Sequence, residues 1–310
     1  MRILVVGAGA TGGYFGARLA QAGRDVTFLV RAERAERLAR RGLRIIGLGE
    51  RTVLAPRTVQ AGDVDAPYDV VLLSVKATGL EPAIDDMAPA VGPNTLIVPF
   101  LNGMRHIDAL AARFGGETVL GGVAKVVTTV DDNGDIVRLA DLQSLRYGAR
   151  DEISSARLED LHRSLSDAGF PTGLSDDIDG EMWAKWVFIA AVSAVTCLMR
   201  GSVGEVVAVP GGTAFAEGVV QESASIAAAA GHPVPDADLQ QTLATVTAAG
   251  SSLTSSLYRD VTGGRSAEVE HIFGDLVSRA ERLGLDVPLL DLTTMHLRVH
   301  QHRIESAGSA

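Results

Sequence analysis

Three glycines near the amino terminus have the spacing of a phosphate-binding turn. Gly7, Gly9 and Gly12 form G-x-G-x-x-G directly after the apolar run "MRILVV" and at the start of a segment with helical spacing. The first glycine permits a tight turn, the second lets the backbone approach a pyrophosphate, and the third lets helix and strand pack closely. The helix amino terminus, with Ala10 and Thr11, would face the anion. The context predicts a dinucleotide-binding turn, with a plain tight turn as the simpler alternative.

A basic residue follows the second predicted strand, in "FLVRAERAER". An acid at this point would accept hydrogen bonds from the ribose hydroxyls of NAD, but Arg31 stands there instead. A guanidinium binds a phosphate through two parallel hydrogen bonds, so the sequence predicts NADP. Arg34 and Arg37 could assist, or could form exposed helix salt pairs with the neighbouring Glu33 and Glu36.

Two polar residues follow later strands, Lys76 in "LLSVKA" and Asn102 in "PFLNGM". Ligands of doubly wound sheets collect beyond the carboxyl ends of the strands, so both residues are candidates for ligand contact. Lys76 could hold a cofactor phosphate or ribose, or be a solvated surface lysine. Asn102 precedes a glycine and could equally belong to a plain Asn-Gly turn.

The second half of the chain contributes a lysine and a glutamate. Lys185 lies in the apolar stretch "MWAKWVFIAAV", where a charge is unexpected unless the helix borders a cleft or the ammonium reaches water along its stem. Glu268 follows a polar, glycine-containing connection and enters a helix. It is a candidate site carboxylate or a helix amino-terminal acid interacting with the dipole.

The elements that must position these residues alternate through the first half of the chain. Apolar runs predict strands at "MRILVVG", "DVTFLV", "DVVLLSVK" and "TLIVPFLNG", with helical spacing between them. This pattern predicts an α/β fold with a Rossmann-type, mostly parallel sheet. The "DDNGD" turn predicts a pair of antiparallel strands within residues 118–149, at the sheet edge. A helix and a short strand "FPTGLS" follow, and from residue 178 onward every element is predicted to be helical.

At 310 residues the chain exceeds what one small core usually organises. The change of pattern predicts two domains, an NADP-binding Rossmann domain at 1–176 and an all-helical substrate and catalytic domain at 177–310. The terminal "ESAGSA" is expected to be disordered.

Composition excludes several classes of partner. The net charge of −10 disfavours nucleic acid and anionic lipid, and no segment approaches the roughly 18 unbroken apolar residues of a membrane span. The single cysteine, Cys197, is predicted to be a core residue, which fits a cytoplasmic protein. The glycines after Arg2 make the amino terminus a poor export signal. No histidine or cysteine cluster has metal-ligand spacing.

Taken together, these residues resemble the ketopantoate reductase (2-dehydropantoate 2-reductase) family over nearly the whole chain. The matching segments are "GAGATG", Arg31, "SVKA", "LNGM", "EMWAKW" and "SSLYRDVTGGRSAEVEHIFG", the last with Ser256, Asp260 and Glu268. The resemblance implies a Rossmann domain, a helical domain, NADPH between them, and reduction of a 2-oxo acid to a 2-hydroxy acid.

The resemblance also implies roles for individual residues. Lys185 matches the general acid toward the substrate carbonyl, and Glu268 matches a carboxylate that contacts substrate and supports the lysine. Ser256 matches a serine near the substrate carboxylate, and Asn102 matches an asparagine beside nicotinamide and substrate. Arg31 and Lys76 match cofactor contacts.

The chain departs from the family on the lysine-bearing helix. Members usually carry substrate-binding asparagines four and eight residues after the lysine, where this chain has Ile189 and Ser193. The substrate could therefore be ketopantoate or a more apolar 2-oxo acid. A 3-hydroxy acid or polyol-phosphate dehydrogenase and a non-catalytic NADP-binding regulator are further alternatives. Apolar helix faces in the second half could pack within one chain or across a homodimer.

Overall fold

The computed structural model describes residues 1–308, which divide into two compact units. Unit 1 comprises Met1–Leu101 and His106–Ile178. Unit 2 comprises Asn102–Arg105 and the chain from Asp179 onward. A short segment from the first half of the sequence therefore belongs to the helical unit, and it contains Asn102.

Unit 1 contains ten strands and five helices. The strands are β1 (Arg2–Val6), β2 (Asp25–Leu29), β3 (Leu43–Gly47), β4 (Glu50–Leu54), β5 (Arg57–Val59), β6 (Val70–Leu73), β7 (Leu96–Pro99), β8 (Gly121–Val130), β9 (Ile136–Gly148) and β10 (Thr172–Leu174). The helices are α1 (Ala10–Gln21), α2 (Ala32–Arg41), α3 (Leu80–Met87), α4 (Arg105–Phe114), whose first residue clusters with unit 2, and α5 (Ser155–Leu165).

The first sheet is parallel throughout, with the order β5-β2-β1-β6-β7. Four of the five residues of β1 and all of β6 are buried, because helices cover both faces of such a sheet. The predicted Rossmann-type α/β fold is confirmed. Because β1 lies between β2 and β6, the turns that follow these three strands are neighbours at one edge of the sheet.

The predicted antiparallel pair, β8 and β9, forms with one register shift between Val126 and Thr128. Its predicted place at the edge of the first sheet is wrong, because the pair belongs to a second sheet with the order β10-β9-β3-β4. An isolated bridge between Ile97 and Val119 joins the approach to β8 with β7. The sequence analysis missed β3, β4 and β5, which are short and in part exposed, so that charged residues interrupt their apolar pattern.

Unit 2 is all-helical, as predicted. Its helices are α6 (Ile178–Met199, which begins at the last residue of unit 1), α7 (Val203–Val207), α8 (Gly212–Ala229), α9 (Asp236–Val246), α10 (Ser256–Thr262), α11 (Asp275–Arg282) and α12 (Pro288–Gly308). A π-helical turn at Glu270–Gly274 interrupts the helix that Glu268 is predicted to enter. The expected disorder of the tail is wrong as far as Gly308, because α12 continues to that residue, and residues 309–310 lie outside the described part of the chain.

Helix α6 is long and apolar enough to cross a membrane by length and composition. However, 67% of its most apolar window is buried inside the protein. Burial inside the protein therefore accounts for its composition.

Candidate functional site

The glycine-rich turn has the shape that a dinucleotide requires. Gly7 follows β1 with φ of +95°, and its amide donates to the Leu29 carbonyl at 3.1 Å. A Cβ atom on Gly7 would lie 2.6 Å from the carbonyl oxygen of Ser74, and one on Gly12 would lie 2.7 Å from Cβ of the same serine. Gly9, in contrast, is exposed, with no atom within 4 Å of the place a Cβ would take. Gly7 and Gly12 thus permit tight packing, and Gly9 leaves room for a ligand.

The amino terminus of α1 is open to an anion. Gly9 is its N-cap and has no side chain to accept a hydrogen bond from the first turn. The first turn, which includes Ala10 and Thr11, contains no acidic residue. Its amide groups and the positive end of the helix dipole therefore suit a phosphate, so the residues present fit the pyrophosphate of a dinucleotide.

Arg31 and Lys76 follow neighbouring turns at the same edge of the sheet. Arg31 is the exposed N-cap of α2, directly after β2. One of its terminal guanidinium nitrogens lies 3.8 Å from the place where a Cβ on Gly79 would stand. Gly79 ends the 3₁₀ turn Ala77–Gly79, which begins directly after Lys76. The structure thus brings the Arg31 guanidinium to the turn that follows Lys76.

Two further arginines of α2 have other partners. Arg37 pairs with Glu33 at 3.0 Å, as one of the two alternatives for this residue stated. Arg34 bonds the carbonyl oxygens of Ala8 and Gly134 instead. Burial, with a smaller effect of the nearby Arg37 charge, lowers the pKa of Arg34 from its usual value.

In unit 2, α6 contacts the π-helical turn and the Asn102 segment. The indole nitrogen of Trp186 donates to the Ile272 carbonyl at 2.9 Å. A Cβ atom on Gly103 would lie 2.6 Å from the His271 carbonyl oxygen and 3.7 Å from the Trp186 ring, so only glycine fits there. Residues 103, 186 and 271–272 therefore meet at one place.

Each member of this contact is close in sequence to a predicted site residue. Asn102 precedes Gly103, and Lys185 precedes Trp186. Glu268 lies just before the π-helical turn, and its carbonyl accepts from the Ile272 amide at 3.1 Å. All three predicted residues are partly exposed. The structure thus holds the main chain at or beside Asn102, Lys185 and Glu268 at one place. These residues carry an amide, an ammonium and a carboxylate.

The connection that leads to Glu268 is fastened to other elements of unit 2. Arg265 pairs with Asp260 at 2.9 Å, which gives that aspartate a structural contact. The Gln301 side-chain oxygen on α12 accepts from the Ala267 amide at 3.1 Å. The backbone entering Glu268 is therefore held on both sides.

The remaining predicted substrate residues differ in exposure. Ile189 is partly exposed, one turn of α6 beyond Lys185, but Ser193 is 1% exposed and its hydroxyl is inside the packed unit. Ser256 is exposed at the start of α10. Its neighbour Ser255 caps α10 by accepting from the Tyr258 amide at 2.9 Å.

Sequence reasoning missed Ser255. Its hydroxyl also lies 3.2 Å from that of Thr196 on α6, so it is the serine that joins α10 to the lysine-bearing helix. A serine before a helical segment is an N-cap signal, but α10 was interpreted as a polar connection, so the signal was lost.

Two buried groups near these residues have shifted pKa values. Burial, with a smaller effect of the Arg105 charge, lowers the pKa of His271 to about 4, so this imidazole is neutral at pH 7. Burial raises the pKa of the Cys197 thiol to about 12, so it is a core residue, as predicted, and no nucleophile. Within residues 1–308, no group of three or more His, Cys, Asp or Glu side chains is placed to hold a metal ion.

Two surface grooves of unit 1, of about 480 and 860 Å³, contain none of the predicted site residues. They share Arg24 and Arg163, and the smaller one also includes Met1 and Asp25, where β1 and β2 begin. The glycine-rich turn lies at the opposite ends of these strands. The two grooves are therefore not part of the candidate site.

The fold and the glycine-rich turn define a dinucleotide-binding α/β protein with a helical second unit. The sequence model described as "Ketopantoate reductase PanE/ApbA" matches residues 3–152, and the model described as "Ketopantoate reductase PanE/ApbA C terminal" matches residues 177–301. Together they cover most of the chain. The chain belongs to the ketopantoate reductase family, as the resemblance predicted.

Individual relatives agree with this assignment. The chain is 33% identical to an uncharacterized oxidoreductase, YkpB, of Bacillus subtilis (strain 168), over 97% of this chain and 99% of the relative. It is 30% identical to a 2-dehydropantoate 2-reductase of Archaeoglobus fulgidus, over 92% of each chain. The crystal structure of a PanE/ApbA family ketopantoate reductase from Ralstonia eutropha JMP134 superposes with a TM-score of 0.88 at 25% identity, covering 98% of this chain and 100% of the other. The protein is therefore an oxidoreductase of this family.

Proposed function

We propose that this protein reduces a 2-oxo acid to a 2-hydroxy acid with NADPH. The nominal reaction is 2-dehydropantoate to (R)-pantoate, as in pantothenate biosynthesis, in the cytoplasm. One observation carries the proposal: the backbones next to Asn102 and Lys185 meet the π-helical turn that follows Glu268. An amide and an ammonium can donate to the carbonyl oxygen of a small substrate, and a carboxylate can accept from its hydroxyl.

The cofactor assignment depends on residues of unit 1. When bound, NADPH supplies the hydride. The turn at Gly7, Gly9 and Gly12 and the first turn of α1 would hold its pyrophosphate. Arg31 and Lys76 would hold the 2'-phosphate, because their turns lie side by side and the guanidinium is exposed.

Lys185 is proposed as the proton donor. As hydride reaches the carbonyl carbon, negative charge develops on the oxygen, and an ammonium within hydrogen-bond reach stabilises this charge and then donates its proton. Glu268 would bind a substrate hydroxyl and hold the lysine in place. Asn102 would orient the carbonyl, and Ser256 would bind the substrate carboxylate.

The substrate pocket favours an apolar acid as a second candidate. Ile189 can make no hydrogen bond, and the buried hydroxyl of Ser193 is not open to a ligand. A site that lacks these polar partners loses its preference for a substrate hydroxyl. A 2-oxo acid with an apolar tail is therefore the alternative to ketopantoate.

A panel of 2-oxo acids tests the proposal. The acids should include ketopantoate and straight, branched and aromatic analogues, and the absorbance of NADPH reports turnover for all of them. We expect turnover with at least one acid and a loss of turnover with Lys185→Ala. Tight NADPH binding without turnover of any acid would instead support the non-catalytic alternative.

A further inference from the structure

The side chain of Arg34 joins α2 to the glycine-rich turn and to the β8–β9 hairpin. Its Nε and one terminal nitrogen donate to the Ala8 carbonyl at 3.2 and 2.9 Å. Its other terminal nitrogen donates at 2.8 Å to the carbonyl of Gly134, in the turn between β8 and β9. All three guanidinium nitrogens therefore bond main-chain oxygens.

The same hairpin supports the turn at a second point. The Thr128 hydroxyl on β8 donates to the Ala10 carbonyl at 3.1 Å. Ala8 and Ala10 are the residues on either side of Gly9, the open glycine of the turn. Side chains of α2 and β8 thus hold the carbonyl groups on both sides of the position that a pyrophosphate would approach.

The end of the hairpin is itself held against α2. The Asp135 amide donates to the Asp131 carboxylate at 2.8 Å. The Asp135 carboxylate, which is 10% exposed, pairs with Arg41 at 3.1 Å and with Arg44 at 3.3 Å. These contacts tie the hairpin, and with it Gly134, to α2 and β3.

We infer that Arg34 is a positioning residue of the dinucleotide-binding turn and not a ligand of the 2'-phosphate. Holding the Ala8 carbonyl on the α2 side keeps its partial negative charge away from the phosphate and orders the turn before the ligand arrives. An ordered turn binds more tightly, because less conformational entropy is lost on binding. This inference depends on the proposed binding of a dinucleotide, but not on the identity of the 2-oxo acid.

The inference predicts a loss that is equal for the two dinucleotides. NADPH and NADH share the pyrophosphate, so Arg34→Ala should weaken the binding of both by the same factor, of at least about tenfold. Arg34→Lys keeps the positive charge, but a single ammonium cannot serve both carbonyl groups in this geometry, so its loss should stay within about threefold of that of Arg34→Ala. Thr128→Val should weaken both dinucleotides in the same ratio, to a smaller extent.

Calorimetric titration of the full-length protein with NADPH and with NADH measures these effects, after circular dichroism has shown that each variant is folded. Arg40→Ala is the matched control, because Arg40 lies on the same helix, is exposed and makes only a 3.8 Å pair with Glu36 among the ion pairs of the described chain. Its affinities should equal those of the wild type.

Several outcomes would overturn the inference. Unchanged binding by folded Arg34→Ala would show that the contact does not position the turn. A loss of affinity for NADPH but not for NADH would make Arg34 a phosphate ligand. Wild-type affinities in Arg34→Lys would assign the effect to the positive charge alone. If Arg34→Ala does not fold, unchanged binding by Thr128→Val is the contrary result. A wild-type protein that binds neither dinucleotide would overturn the proposed function, and this inference with it.

Discussion

Arg31 is exposed at the end of β2, and its guanidinium lies beside the turn that follows Lys76. If it holds the 2'-phosphate, Arg31→Ala should weaken the binding of NADPH by about tenfold to a hundredfold, since hydrogen bonds between charged groups contribute roughly 1.5–3 kcal/mol. NADH, which lacks this phosphate, should bind almost unchanged. Titration with both dinucleotides makes the comparison, with the exposed Arg51→Ala as the control. Equal losses for NADPH and NADH would remove Arg31 from the phosphate site.

Lys185 is one of three lysines in the chain, which makes its test simple to control. Lys185→Ala should lower kcat by about a hundredfold or more, because general acid catalysis typically contributes that much. Lys125→Ala, at an exposed position on β8, should leave turnover unchanged. Steady-state kinetics with the best acid of the panel provides the measurement, and near-normal turnover by Lys185→Ala would exclude the proton-donor role.

Ile189 tests the choice of substrate. Ile189→Asn introduces the amide that the family resemblance implies one helical turn after the lysine, so the ratio of kcat/KM for ketopantoate to that for an apolar 2-oxo acid should rise. About tenfold is expected, since one or two hydrogen bonds to a substrate hydroxyl are gained. Ile189→Val, which stays apolar, should leave the ratio unchanged. If asparagine does not alter the ratio either, Ile189 lies outside the pocket.

At the scale of elements, burial determined which parts of the fold could be predicted. The strands β1 and β6 and the helix α6 are apolar along nearly their whole length, so their continuous apolar runs identified them. The strands β3 and β4 alternate apolar residues with arginine, glutamate and threonine, and this pattern resembles that of a surface loop. The second sheet was therefore missed, although it includes the hairpin that braces the glycine-rich turn.

The site shows the same limit. Motif spacing identified Gly7, Arg31, Lys185 and Glu268 as candidates, because the residues and their order carry the resemblance. The bonds that hold them are long-range: Arg34 contacts Gly134 across 100 positions, and Trp186 contacts Ile272 across 86. The π-helical turn changes the helical period over only five residues, which leaves no trace in the apolar spacing.

At the scale of the whole molecule, the two units can be observed separately. Both tryptophans of the chain, Trp183 and Trp186, are buried in unit 2, where their rings lie 4.9 Å apart. Intrinsic tryptophan fluorescence therefore reports the unfolding of unit 2, whereas far-ultraviolet circular dichroism reports both units. A substitution in unit 2 that changes stability should therefore shift the unfolding transition measured by fluorescence.

We expect His271 to make the stability of unit 2 depend on pH. Its pKa is about 4 in the folded protein, against 6.5 for an ordinary histidine, so below pH 6.5 the unfolded chain binds a proton that the folded protein does not. The free energy of unfolding of unit 2 should be constant in this respect above pH 6.5 and should fall by about 3 kcal/mol as the pH is lowered to 4. His296, whose pKa burial also lowers, acts in the same direction.

Urea titrations followed by tryptophan fluorescence at several pH values measure how the free energy of unfolding changes with pH. This slope should be shallower in His271→Gln and unchanged in the exposed His302→Gln. A His271→Gln slope equal to that of the wild type would mean that His271 titrates normally in the folded protein.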